Sequence, residues 1–187
     1  MASGGSWSDF VGAWELFRFG RTTKSVERHV LTESKRKLRE RTRESLKYSA
    51  VTFSGIQARA IGRGFAEAVR KSNYTIWACS ILPEHVHLVM ARHTYRVELM
   101  VDLLKGEATK QLNKERLHPL AEHAPPGERP PKPWARGQWQ VYLSNEEQIE
   151  EAIHYVEENP VKEEKPAQCW SCVTKFAGLE PGWITYH

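Results

Sequence analysis

Two periods alternate along this chain. "YTIWACSIL", Tyr74 to Leu82, and "HVHLVMA", His85 to Ala91, are short apolar runs separated by Pro83 and Glu84. Their length and punctuation predict two strands. "QWQVYLS" predicts another, and "AWELFRF", Ala13 to Phe19, a first one. Elsewhere apolar residues recur at helical spacing. "SGIQARAIGRGFAEAVRKS" carries the stripe Ile61, Phe65, Ala68 and Val69 and opens on a capping box, Ser54 with Gln57. Gly62 and Gly64 count against that helix. "YRVELMVDLLKGEATKQLNKERL" aligns Val97, Met100, Val101 and Leu104. "SNEEQIEEAIHYVEEN" aligns Ile149, Ala152, Ile153 and Val156, with Ser144 and Glu147 as its capping box and Pro160 as its end. A basic segment, Arg28 to Lys47, also has helical character. The proline-rich "HPLAEHAPPGERPPKPWARG" is a loop of the long kind that is often functional or mobile.

The order is strand, helix, strand, strand, helix, strand, helix. It predicts an α+β domain, an antiparallel sheet with helices mainly on one face, most simply the ferredoxin-like split βαβ arrangement. The expected organisation is an N-terminal strand with a basic helical extension over 1–50, a main domain over 51–172 and an irregular tail over 173–187. Residues 1 to 9 read as a loose terminus.

Composition narrows the classes. The chain has 187 residues, 40% of them hydrophobic, enough for one cored domain with extensions. It contains no apolar run long enough to span a membrane and opens on no signal-peptide pattern. Three cysteines do not make a disulfide framework, so a reduced, cytoplasmic setting is expected. Net charge is +4, but residues 1–94 carry 16 Lys/Arg against 8 Asp/Glu, and residues 95–187 carry 11 against 15. That asymmetry points to an anionic partner, nucleic acid above all, contacting the first half. Taken alone, the mixed-sign stretch "ESKRKLRERTRESLK" is better explained as a solvated helical face.

Alternation along a strand puts His85 and His87 on one face and Val86, Leu88 and Met90 on the other. Two imidazoles side by side can hold one cation. On the last helix Tyr155 and Asn159 are four residues apart, one turn from each other beside the apolar stripe, while His154 points to solvent. Two imidazole nitrogens and the amide oxygen of Asn159 suit Mg or Mn. Tyr155 could then attack a bound phosphate. Plainer roles exist for each: strand histidines, an anchoring aromatic, a helix C-cap before Pro160. "CWSC" lacks the second cysteine pair a zinc site needs, and Cys79 reads as core.

Together "ILPEHVHLVM", "LLKGEATKQLN", "GQWQVYLS" and "YVEENPVK", in that order and followed by "CWS", resemble the single-tyrosine HUH transposases, nearest to the REP-associated tyrosine transposases. The resemblance spans Tyr74 to Ser171. It implies a ferredoxin-like nuclease and strand transferase that acts on single-stranded DNA beside hairpins. It implies Mg or Mn held by His85, His87 and Asn159, and Tyr155 as the nucleophile that links to a 5′ phosphate and releases a 3′ hydroxyl. Arg92, Lys105, Lys110 and Lys114 are candidates for phosphate contacts, and Trp134 and Trp139 for base stacking. Each also reads as a solvated cation or a packed aromatic. The chain would work as a monomer or homodimer, with no membrane partner. Two features depart from the family: the basic residues before the first helix, and an acidic tyrosine helix carrying Glu146, Glu147, Glu150, Glu151, Glu157 and Glu158. Two rivals remain: a domesticated hairpin or single-stranded DNA-binding protein without cleavage, and an unrelated metalloprotein using His93, His118 or His123 with the pair.

Overall fold

The computed structural model describes residues 9–13, 48 and 50–179, with 9–13 described by backbone alone. Among the described residues four strands and three long helices follow one another: β1 (Asp9–Ala13), α1 (Gly55–Ser72), β2 (Ile76–Ile81), β3 (Val86–Ala91), α2 (Val97–Lys114), β4 (Trp139–Leu143) and α3 (Glu146–Lys162). The sheet order is β2-β3-β1-β4, and every neighbouring pair is antiparallel. With α1 joining β1 to β2 and α2 joining β3 to β4, this is the split βαβ, ferredoxin-like arrangement. Among the described residues no helix is long and apolar enough to cross a membrane.

Helices α1 and α2 share one face. Their stripes, Ile61, Phe65 and Ala68 with Met100, Val101, Leu104 and Leu112, close over Val86, Leu88 and Met90 of β3. Helix α3 lies on the opposite face, where Ile149 and Val156 meet Trp77, Ala78, Val89 and Leu143. Two of the three helices therefore share a face. Because α3 covers the other, β2 and β3 are buried along their whole length. A bulge in β2 fits this double burial. The register slips between Ile76 and Ala78, so Trp77 and Ala78 both face α3 while Ile76 and Cys79 both face α1 and α2.

The helical glycines allow close approach. A Cβ on Gly64 would lie 2.5 Å from the Cα of Ala108, and one on Gly62 would lie 2.4 Å from the Trp170 ring. The capping box of Ser54 and Gln57 forms as expected.

Several expectations shift. A strand forms at Asp9–Ala13, where "DFVGA" pairs with β3 and β4 together, and it meets the expected Ala13–Phe19 only at Ala13. The remainder of the expected strand, and the basic segment to Lys47, lie outside the described residues. The cap of α3 is Asn145, whose side chain accepts from the Gln148 N–H at 2.9 Å, while Gln148 Oε1 accepts from the Ser144 N–H at 2.8 Å. This reciprocal pair sits one residue beyond the expected Ser144 and Glu147, because Asn is as good an N-cap as Ser. Finally, α3 runs through Pro160 to Lys162. A proline forfeits one hydrogen bond, and in this last turn the N–H of Glu163 still reaches the carbonyls of Asn159 and Pro160. Asn159 is thus helical, and the C-cap is Glu163.

The chain after α3 straps the free edge of β2. The Gln168 side-chain amide donates to the Ile81 carbonyl and accepts from its N–H, both at 2.8 Å. The Thr174 N–H donates to the Ile76 carbonyl at 2.8 Å. A side chain and a short bridge thereby stand in for a neighbouring strand.

Candidate functional site

A two-residue turn sets the site. Leu82 N–H donates to the His85 carbonyl across Pro83 and Glu84 at 2.8 Å, which starts β3 at a fixed register. His85 and His87 then project on the α3 face. Their ring centroids are 4.7 Å apart and nearly perpendicular. His87 is only 7% exposed. Burial, with His85 beside it, pulls the His87 pKa down to about 3, so its imidazole is neutral at physiological pH and its lone pair is available. His85 is more open, at 20% exposed.

Helix α3 brings the other two residues. The Tyr155 ring stands edge-on to His87, centroids 5.7 Å apart. Asn159, one turn on, is buried. Its Nδ2 has no hydrogen-bond partner. An orphaned buried amide costs on the order of 1–3 kcal/mol, and orientations of Asn amides are assigned from their partners. Rotated by half a turn, the amide presents an oxygen there instead. Two imidazoles and a buried amide whose nitrogen is unpartnered are a donor set that fits Mg or Mn.

The sequence pattern could not show two further neighbours. Ser80 faces His87 across β2 and β3, fully buried, with its hydroxyl unpartnered. Glu163 places Oε1 3.6 Å from Nε2 of His85. Glu163 falls on the spacing of Tyr155 and Asn159, four residues further along, but only if the helix is carried past Pro160.

No protein-family model matches the chain, and no curated protein matches it. Two solved structures overlap its fold. One is described as a REP-associated tyrosine transposase bound to a REP hairpin; it is 13% identical, with a TM-score of 0.49 over 87% of this chain and 74% of that one. The other is a candidate transposase from Deinococcus radiodurans R1, 13% identical, with a TM-score of 0.40 over 89% of this chain and 98% of that one. Both descriptions name transposases. At this identity and overlap neither carries a substrate or a reaction across to this chain.

The remaining candidates are scattered. Trp139 pairs with Ala13, which also pairs with His87, so Trp139 stands in the same cross-strand row on the same sheet face, two strands away. It is partly buried. Arg92 lies past the far end of β3, exposed, as is Lys114 at the end of α2. Lys110 is exposed and pairs with Glu107 at 2.6 Å. Lys105 is buried, and its Nζ donates to the carbonyls of Ala135 at 3.1 Å and Gly137 at 2.6 Å. Trp134 donates its indole N–H to Thr109 Oγ1 at 2.8 Å and packs its ring 5.0 Å from that of Phe53. These last two pin the proline-rich loop to α2.

The acidic helix turns its charge outward. Glu146, Glu147, Glu150, Glu151 and Glu157 are exposed. Glu158 pairs with His154 at 3.0 Å and Lys162 at 2.6 Å. Among the described residues no three His, Cys, Asp or Glu side chains form a ready metal site. His93 packs against Tyr74 and Tyr95, His118 accepts from the Leu120 N–H, and His123 packs against Tyr48. All three described cysteines are free; Cys79 and Cys172 are buried in one core cluster and Cys169 is exposed.

Proposed function

We propose that this chain is a transposase-type nuclease and strand transferase that cuts single-stranded DNA beside a hairpin, with Tyr155 as nucleophile. The observation that carries the reading is the convergence of neutral His87, the Tyr155 ring 5.7 Å from it, and a buried Asn159 amide with an unpartnered nitrogen one turn along. His85, His87 and Asn159 would hold Mg or Mn. When bound, that cation supplies a positive charge that neutralises the scissile phosphate and orients it.

The rest is the work of side chains. The Tyr155 hydroxyl gives up its proton, and its oxygen attacks phosphorus. The bond to the 3′ oxygen breaks, that oxygen takes a proton, and the 5′ phosphate stays on the tyrosine. Attack by another strand's 3′ hydroxyl reverses the step and joins DNA without an external energy source. Trp139, in the His87 row, suits a base flanking the cut, and Arg92 and Lys114 suit phosphates further along. The outward charge of α3 keeps its carboxylates off the substrate face.

The test is a denaturing gel with Mn and labelled single-stranded hairpins taken from beside the gene. The reading expects a covalent protein–DNA adduct that Tyr155→Phe and His87→Ala both abolish. Hairpin binding with no adduct from the unaltered protein would instead establish a DNA-binding protein without cleavage.

A further inference from the structure

We propose that Glu163 is the anionic member of the cation site, a carboxylate that joins His85, His87 and Asn159 around the metal. The inference rests on the metal-site reading above and extends it to a residue outside the histidine, asparagine and tyrosine set.

Three observations lead to it. First, Glu163 follows Asn159 by four residues and Tyr155 by eight, so all three lie along one side of the end of α3. Second, its Oε1 stands 3.6 Å from Nε2 of His85. That is too long for a hydrogen bond. It is close to the separation of about 3 Å between adjacent ligands of an octahedral cation whose bonds are about 2.1 Å. The carboxylate is 37% exposed, so it has room to turn and close the difference. Third, none of the other donors carries a negative charge. A hard divalent cation takes oxygen ligands, carboxylates above all, and two imidazoles with one amide leave its charge uncompensated. The C-terminal end of a helix adds partial negative charge at the same place. Lys162 is drawn to Glu158 at 2.6 Å, on the side of the Tyr155 ring, 5.7 Å from its centroid.

His85 and Glu163 come from a turn-anchored strand and a helix terminus, so a cation held by both would tie the two elements together. Glu163 therefore closes the site on the side away from Tyr155 and leaves the tyrosine side to the phosphate.

The experiment measures Mn binding directly, by the loss of the free-Mn EPR signal on titration with DNA-free protein. The unaltered chain is compared with Glu163→Gln, Glu163→Asp and His87→Ala. Circular dichroism and melting in chelator confirm that each variant is folded. Expected is a tenfold or greater weakening in Glu163→Gln, of the size usual when a metal site loses a supporting group, with most of the affinity kept in Glu163→Asp. If Glu163→Gln binds Mn like the unaltered protein while His87→Ala does not, the proposal for Glu163 is overturned and the metal site stands. If His87→Ala also binds normally, the metal-site reading itself fails and Glu163 falls with it.

Discussion

Replacing Gly64 by alanine tests the fold most sharply, because two physical effects of known sign compete there. In a solvent-exposed helix, alanine is better than glycine by about 0.8–1 kcal/mol. At Gly64 the new methyl would sit 2.5 Å from the Cα of Ala108, 2.7 Å from its nitrogen and 2.8 Å from the Glu107 carbonyl oxygen. All three are backbone atoms of α2, so no rotamer change relieves them. The helices must part by the better part of an ångström, and overpacking of this kind costs about 1–3 kcal/mol. The opened seam also loses contact at Phe65 and Leu104, which the close approach keeps fully buried. The net expectation is destabilisation of about 1–2 kcal/mol, a fall in melting temperature of roughly 2–8 °C for a chain of this size. Gly106 lies in α2 too, and a Cβ there meets nothing within 4 Å. Gly106→Ala should therefore raise stability by about 0.5–1 kcal/mol. Thermal and urea unfolding of the pair give the answer. Should Gly64→Ala prove as stable as the unaltered chain, or should both variants move in the same direction, the close-packed seam is not what holds α1 on α2.

The apo protein should lose stability in acid. His87 titrates near 3 when folded and near its ordinary 6.5 when unfolded, because burial opposes its charge. Between those values the unfolded chain binds a proton that the folded one refuses. The contribution is therefore complete above pH 6.5 and declines as pH falls toward 3. From pH 7.5 to pH 5 the loss is about 2 kcal/mol, measurable by urea unfolding in chelator, and His87→Gln should remove it; an unchanged slope in that variant would refute the assignment. Lys105→Met should cost about 1–3 kcal/mol by stranding the carbonyls of Ala135 and Gly137. It should also speed proteolysis within 118–138, while hairpin affinity stays within about twofold; a large affinity loss at unchanged loop protection would make Lys105 a DNA contact instead. Arg92→Ala and Lys114→Ala should weaken hairpin binding and each reduce its salt dependence by about one phosphate contact, as fluorescence anisotropy against salt would measure.

Periodicity made most of this architecture legible. Strands β2 and β3 and all three helices stand where their apolar spacing puts them, and the opposed faces of Val86, Leu88 and Met90 against His85 and His87 follow from alternation alone. The features that escaped are those in which tertiary packing decides among local options. Nothing in "IWACSI" announces a bulge, yet Trp77 and Ala78 must both reach α3. Gly62 and Gly64 weaken a helix considered alone, and become favourable only once Trp170 and α2 press against them. "DFVGA" carries little alternation of its own, and its pairing with both β3 and β4 is what makes it a strand.

The same distinction explains which part of the site could be read from the sequence. Tyr155 and Asn159 fall on one helical turn before Pro160, so spacing alone brings them together. Glu163 lies beyond the proline, where a sequence reading stops the helix. The structure carries it on because the lost N–H belongs to the final turn, and the amides of Glu163 and Lys165 take up the carbonyls there. The residues beyond the proline thus bring Glu163, the C-cap, to the proposed site face. The strap beyond it then turns back onto β2 through Gln168 and Thr174, on the strand next to the histidines. Helix α3 is therefore fixed at both ends: by the Asn145 cap and Ile149 at one, and by the Gln168 and Trp170 contacts following the other. In the proposed reaction Tyr155 would need that restraint, because a displacement of about 1 Å at a reacting oxygen can cost about a hundredfold in rate. The same restraint holds the exposed glutamates of α3 on the side turned to solvent, where they would not oppose that reaction.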